Sequence, residues 1–336
     1  MQVAVLAHES FPDRAKTAVG LLRYGDHDVR ALLDREHAGD RVRDHFPDAQ
    51  DAPIAASMDD VPAVDALIIG VAPIGGGFDE SWRPDVRAAL ERGCHVFAGL
   101  HDFLKDDEEF AALAADHGGQ LMDLREPPED LTVADGTAAE VDATVVTTVG
   151  TDCSTGKMTT AFELRDAARE RGLNAAVIPT GQTGVAITGW GIVVDRVIAD
   201  YAAGAVERLV ETPEGMDLLI VEGQGALAHP AYSGVTTSIL HGSAPDAMVL
   251  CHEAGLEAIH GYGSFAIPPL AEYVDIYERL AAPISDASVV AGALNTRGLD
   301  EAAAREAVES YAGAIDAPAT DPVRDGVPDA VLDAVV

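Results

Sequence analysis

The sequence predicts an α/β protein with two parallel sheets, the second opened by a P-loop-type phosphate loop. Short apolar runs alternate with amphipathic segments along the chain, the pattern of strand–helix–strand units. One proline-bearing, acidic stretch at 125–142 interrupts that alternation. Directly after it, a glycine-bounded loop carrying a lysine joins an apolar run to a helical one. The 336 residues suit two domains of ordinary size.

In the first part, residues 3–7, 66–71 and 95–100 read as buried strands, and 84–92 and 103–117 as the helices around them. Residues 74–78 carry three glycines just past a strand end, where open α/β sheets hold ligands. The stretch REPPEDLTVADGTAAEVD is low in large apolar groups and reads as a boundary, giving 1–128, a linker at 129–142, and 143–336. Beyond it, 145–149, 175–179, 217–221, 247–251 and 289–294 read as strands. Residues 157–171, 192–210, 268–280 and 301–311 read as helices.

Composition narrows the function. Lys and Arg total 22 against 57 Asp and Glu, a net charge of −35. Such a chain repels nucleic acid and anionic lipid, so neither is an expected partner. The acid is spread along the chain and lysine is nearly absent, which reads as a solubility adaptation to high salt. Lys157, kept inside a glycine-rich loop, stands out against that background. Three cysteines without CxxC spacing argue for a reducing compartment. With no signal-peptide pattern and no spanning apolar stretch, the expected location is cytoplasmic. The expected partners are a small-molecule amino-acid substrate and further copies of the chain.

The loop reads Gly150, Thr151, Asp152, Cys153, Ser154, Thr155, Gly156, Lys157, Met158, Thr159. Glycines let the backbone wrap an anion with N–H groups inward; a helix N-terminus adds partial positive charge and Lys157 a full one. Five residues, one more than in the standard motif, separate Gly150 from Gly156. The position after the lysine is ordinarily Ser or Thr, whose hydroxyl binds Mg²⁺. Here it is Met158, a poor ligand for a hard cation, and Thr159 faces about 100° around the helix. The loop is therefore suited to a phosphate that is gripped and not transferred, and coenzyme A meets that description. Cys153 reads as a small polar filler of the loop.

Other polar groups stand at strand ends. Glu222 ends an apolar run and faces the phosphate loop in folds of this type; it and His229 are the candidate general bases, and Asp152 is a further catalytic candidate. Gln182 and Thr183 follow the second strand of the later series and can pair with a carboxylate or amide. His252 is a ligand-contact candidate, and Arg83 a partner for a dicarboxylate. Cys251 and His252 are adjacent on a strand, point to opposite faces and form no dyad. The histidines lack metal-ligand spacing, and no metal site is expected.

Taken together, VGTDCSTGKMTT (149–160), PTGQTGVAITGWG (179–191), VEGQGALAHPAYSGVT (221–236), LCHEAGLEAIHGY (250–262) and ALNTRGLDEAAARE (293–306) resemble the D-glutamate N-acetyltransferase (DgcN-type) family. The match is dense after the boundary and thin before it. The resemblance implies a Rossmann-like N-terminal domain and a P-loop NTPase-like C-terminal domain. It implies acetyl transfer from acetyl-CoA to the amino group of D-glutamate, and GKMTT is the family's own loop. The loop and the segment VEG (221–223) are also similar to dethiobiotin synthetase. That likeness keeps open an ATP- and Mg²⁺-dependent ligase or kinase, with Glu222 or Asp152 orienting the metal and Thr159 replacing the missing hydroxyl. A nucleotide-dependent, non-enzymatic switch is a further alternative.

Overall fold

The computed structural model describes residues 1–73 and 75–336. The expected ligand loop at 74–78 starts at Ile74, which lies outside the described residues. The chain divides into two compact units, one of Met1–Pro127 with Gln182–Val193, the other of Pro128–Gly181 with Val194–Val336.

The first unit holds β1 (Gln2–Leu6), α1 (Lys16–Tyr24), β2 (Asp28–Leu33), α2 (Val42–His45), β3 (Ile54–Ala55), β4 (Ala66–Ile69), α3 (Arg83–Glu91), β5 (His95–Ala98), α4 (Glu108–His117) and β6 (Leu121–Asp123). Its six strands pair in the order β3-β2-β1-β4-β5-β6, every pair parallel. That is the doubly wound order of a Rossmann-like sheet. Strands buried on both faces need continuous apolar runs, and β4, ALII, is buried at all four positions.

The second unit begins β7 (Thr144–Gly150), α5 (Lys157–Glu170), β8 (Ala175–Ile178). Next comes α6 (Gln182–Thr188), which packs with the first unit, against α1. The second unit resumes with α7 (Ala199–Glu211), β9 (Leu218–Val221), α8 (Ser233–Ser243), β10 (Ala247–Glu253), β11 (Ala258–Ile259), β12 (Tyr262–Ala266), α9 (Leu270–Ala281), β13 (Ser288–Asn295), α10 (Glu301–Ile315), β14 (Ala319–Thr320) and α11 (Asp329–Val335). Its main sheet runs β14-β13-β10-β7-β9-β8, all parallel, while β11 and β12 form an antiparallel hairpin. The strand that carries the phosphate loop is thus central, between β9 and β10. Strand order reverses there, where open α/β sheets bind ligands.

The structure departs from the expected division at two places. Residues 182–193 belong with the first unit, not the second. Residues 129–142 are anchored and do not hang free as a linker. The buried Glu207 carboxylate accepts the N–H groups of Asp135, Gly136 and Thr137 at 2.6–2.8 Å, and a Cβ on Gly204 would meet the Thr132 carbonyl oxygen at 2.2 Å. The expected helix at 192–210 starts later, at Ala199, after a short 3-10 turn at Val194–Arg196. No helix among the described residues is long and apolar enough to cross a membrane.

Candidate functional site

The phosphate loop lies where β7 ends and α5 begins. Two glycines are required by space and conformation. A Cβ on Gly150 would meet Thr155 Oγ1 at 2.7 Å and Lys157 Nζ at 2.8 Å, and Gly156 has φ 103°. Helix α5 runs 14 residues from Lys157, with Gly156 at the cap position giving no side-chain cap and no acid in the first turn. The first N–H groups of a helix have no intrahelical partner, and the Gly156 cap position supplies no side-chain acceptor for them.

The loop carbonyls are fixed by side chains. The oxygen of Gly150 accepts the Tyr277 hydroxyl at 2.7 Å, and that of Thr151 accepts the Tyr273 hydroxyl at 2.7 Å. The oxygen of Asp152 accepts Lys157 Nζ at 2.6 Å. Three successive peptide oxygens thus each accept a side-chain donor. Sequence reasoning missed both tyrosines. They lie four residues apart on the buried face of α9, and a buried phenol needs a hydrogen-bond acceptor; that spacing was the available signal.

Around the loop stand several groups singled out from sequence. Glu222 is buried at the end of β9, and Oε2 accepts the Gly181 N–H at 3.2 Å. The next residue must be glycine, since a Cβ on Gly223 would lie 1.7 Å from the Thr148 carbonyl oxygen. Met158 is buried while Thr159 is half-buried. Asp152 is fully buried, and its two oxygens accept the N–H groups of Cys153 at 2.7 Å and His260 at 2.6 Å. Asp152 thereby ties the β11–β12 hairpin to the loop.

His229 is buried, and its Nδ1 accepts the N–H groups of Ala231 at 3.1 Å and Tyr232 at 3.2 Å. An acceptor at Nδ1 places the ring proton on Nε2, 3.8 Å from Asp152 Oδ1. Burial, reinforced by Lys157 and opposed by Asp152, lowers its pKa and keeps the ring neutral. His229 therefore presents a donor, not a base. The same tautomer bears on the trio Asp152, Cys153 and His229, whose potential ligand atoms lie within 4.8 Å of one another. Ligation through Nε2 would need the proton on Nδ1, the atom addressed by two N–H groups, so the trio does not fit a metal ion.

The remaining candidates each have partners within the protein. His252 Nδ1 and Thr151 Oγ1 are 2.8 Å apart, and the ring stacks on Tyr311. Burial pushes its pKa down to about 4. Cys251 is fully buried with its sulfur 3.5 Å from Thr160 Oγ1, and burial raises its pKa to about 11, so it remains a thiol. In the first unit, Thr183 Oγ1 bonds Thr17 Oγ1 at 2.8 Å, and Gln182 lays its side chain where a Cβ on Gly99 would clash at 2.9 Å. Arg83 is held by Glu80, Asp107 and Glu109 through four of its N–H groups and lies over Phe78 and Phe110. These carboxylates raise its pKa further, and the pairs with Asp107 and Glu109 tie α3 to the start of α4. Thr183 and Arg83, expected as ligand contacts, thus both bond to other side chains of the first unit.

The buried, neutral His252 makes stability depend on pH. The unfolded ring binds its proton near pH 6.5 and the folded ring only near 4. Between these values the unfolded state carries more protons, so stability falls as pH drops through that window. The expected loss is about 3 kcal/mol in full, and urea midpoints measured from pH 7 to pH 4.5 should show it. His252→Asn should flatten that part of the curve; an unchanged slope would remove His252 as its source.

The geometry defines a two-unit α/β protein with a Rossmann-ordered sheet and a P-loop unit. Comparison with known proteins agrees. The chain belongs to the DUF1611 family: its P-loop domain matches residues 132–332 and its Rossmann-like N-terminal domain residues 35–127. A crystal structure of a DUF1611 family protein from Anabaena variabilis superposes with TM-score 0.92 at 38% identity, covering 99% of this chain and 98% of that one. Two curated relatives are named D-glutamate N-acetyltransferase. The one from Tritonibacter scottomollicae is 38% identical over 77% of this chain and 78% of its own length; the one from a Pseudoalteromonas species is 36% identical over 78% of each.

Proposed function

We propose that the protein is an N-acetyltransferase that moves acetyl from acetyl-CoA to the amino group of D-glutamate or a related amino acid, with loop 150–157 holding the coenzyme A phosphates. The observation that carries this reading is the side-chain capture of the carbonyls of Gly150, Thr151 and Asp152 at the uncapped start of α5. That arrangement suits a polyanion. The names of the two relatives support the reaction class. Burial of Met158 supports a loop that grips without transferring phosphate.

The chemistry needs a free amine, because an ammonium has no lone pair. A base removes one proton from the substrate ammonium, the nitrogen attacks the thioester carbonyl carbon and then gives up a second proton, the carbon–sulfur bond breaks, and the departing thiolate takes up a proton so that free thiol leaves. Glu222 is the carboxylate available for that base. His229, with Nε2–H outward, is the donor available to an oxyanion or a phosphate oxygen.

The deciding experiment incubates the protein with acetyl-CoA and D-glutamate in high salt and follows free thiol release. Stoichiometric thiol and N-acetylglutamate are expected, with no ADP when ATP and Mg²⁺ replace acetyl-CoA. ADP release without thiol release would overturn the reading in favour of an ATP-dependent ligase or kinase.

A further inference from the structure

The surroundings of the loop differ from the rest of this chain in charge. Charged residues make up 24% of the sequence, with a net charge of −35. Yet residues 223–245 and 258–271 contain no Asp, Glu, Lys or Arg. These two stretches supply the segment carrying His229 and the β11–β12 hairpin, both of which reach the phosphate loop through Asp152. An acidic surface repels an anionic ligand, and here the acid is cleared where such a ligand would approach.

The same two stretches expose aromatic rings. Tyr232 is 52% exposed, Tyr262 39% and Phe265 49%. The rings form a continuous series outward from the loop. His229 lies 4.6 Å from Tyr232 and 5.2 Å from Tyr262, whose ring in turn is 6.2 Å from Phe265. Every residue of β12 is exposed, although a two-stranded hairpin is not stable by itself. It is fixed by the His260 N–H on Asp152 and by Tyr262 against His229. The Tyr262 ring meets His229 and Phe265 edge-to-face, at 79° and 82°, so the pinned, uncharged hairpin offers ring faces and edges between which a planar ring can lie.

We propose that Tyr232, Tyr262 and Phe265 bind the purine ring of the phosphate-bearing cofactor held by loop 150–157. The proposal rests on the phosphate-gripping reading above and adds the base subsite to it. A flat, polarisable ring is the complement of such a surface, and in a nucleotide cofactor the base lies close to the phosphates.

The test measures affinities for coenzyme A and for inorganic pyrophosphate by calorimetry at constant salt, using wild type, Tyr262→Ala, Phe265→Ala and Tyr262→Phe. Stacking of a base on an aromatic side chain gives an expected loss of about tenfold in coenzyme A affinity for each alanine variant. Pyrophosphate affinity should not change, and Tyr262→Phe should stay near wild type. Pyrophosphate bound equally by all variants with coenzyme A affinity also unchanged would overturn the base subsite and leave the phosphate grip standing. A wild type that binds neither ligand would remove the grip and the base subsite together. A fall in oligomer mass on Tyr262→Ala with no change in affinity would also overturn the proposal and assign the rings to self-association.

Discussion

Replacing Lys157 with Met is expected to raise the KM for acetyl-CoA about 100-fold while leaving kcat nearly unchanged. Lys157 is buried, its Nζ lies 2.6 Å from the Asp152 oxygen, and its stem packs across Gly150 and Gly223. Methionine keeps most of that stem and removes the charge, so the core around α5 is preserved. Removing one partner of a buried, charge-assisted contact costs about 2–5 kcal/mol, and about 3 kcal/mol corresponds to two decades in affinity. The phosphates of coenzyme A are separated from the thioester by the whole pantetheine arm. Their contacts are alike in the ground and transition states, and such uniform binding appears in KM and not in kcat. Steady-state kinetics of the folded variant, checked by circular dichroism, decide the matter. An unchanged KM would show that the loop grips no phosphate.

The fold was legible where burial alone dictates the residue types. Strands β4, ALII, and β9, LLIV, are buried at every position, and an unbroken apolar run allows little else. Strand β2, DVRALL, was missed because Arg30 reaches solvent in its middle and splits the apolar signal. Helix α8, SGVTTSILHGS, was missed because Gly, Ser and Thr are weak helix formers. The hydroxyls of Thr237 and Ser238 turn back to carbonyls one turn earlier, and the helix is held by burial of Ile239 and Leu240. Within the site, the loop itself was readable because glycine spacing and one lysine act locally. Glu222 was readable because a strand end fixes its place. The pairing of Arg83 with Asp107 and Glu109, of Thr183 with Thr17, and of Asp152 with the His260 N–H joins residues distant in sequence. No local pattern announces such contacts. The tautomer of His229 was hidden for a related reason, since it is set by where the chain turns after Pro230.

Glu222→Gln is expected to lower kcat by about 10²–10⁴-fold with the dissociation constant of acetyl-CoA unchanged, the size of a general-base contribution. The substitution keeps shape and leaves an amide oxygen able to accept the Gly181 N–H, so the end of β9 should hold its geometry. It removes only the capacity to take a proton. His229→Gln should act differently: glutamine retains a donor, and the pH–rate profile should keep the limb that Glu222 produces. The position of Glu222 beside the loop makes the result informative about where acetyl moves. If the carboxylate is the base, the pantetheine arm must fold back along the sheet end so that thioester and phosphates share one mouth. A KM effect with intact kcat would instead make Glu222 a support of the loop through Gly181, and the reacting centre would then lie a full arm away. Measuring kcat, KM and the equilibrium affinity on the same variant separates these cases, because a base acts only in the transition state and a support acts throughout.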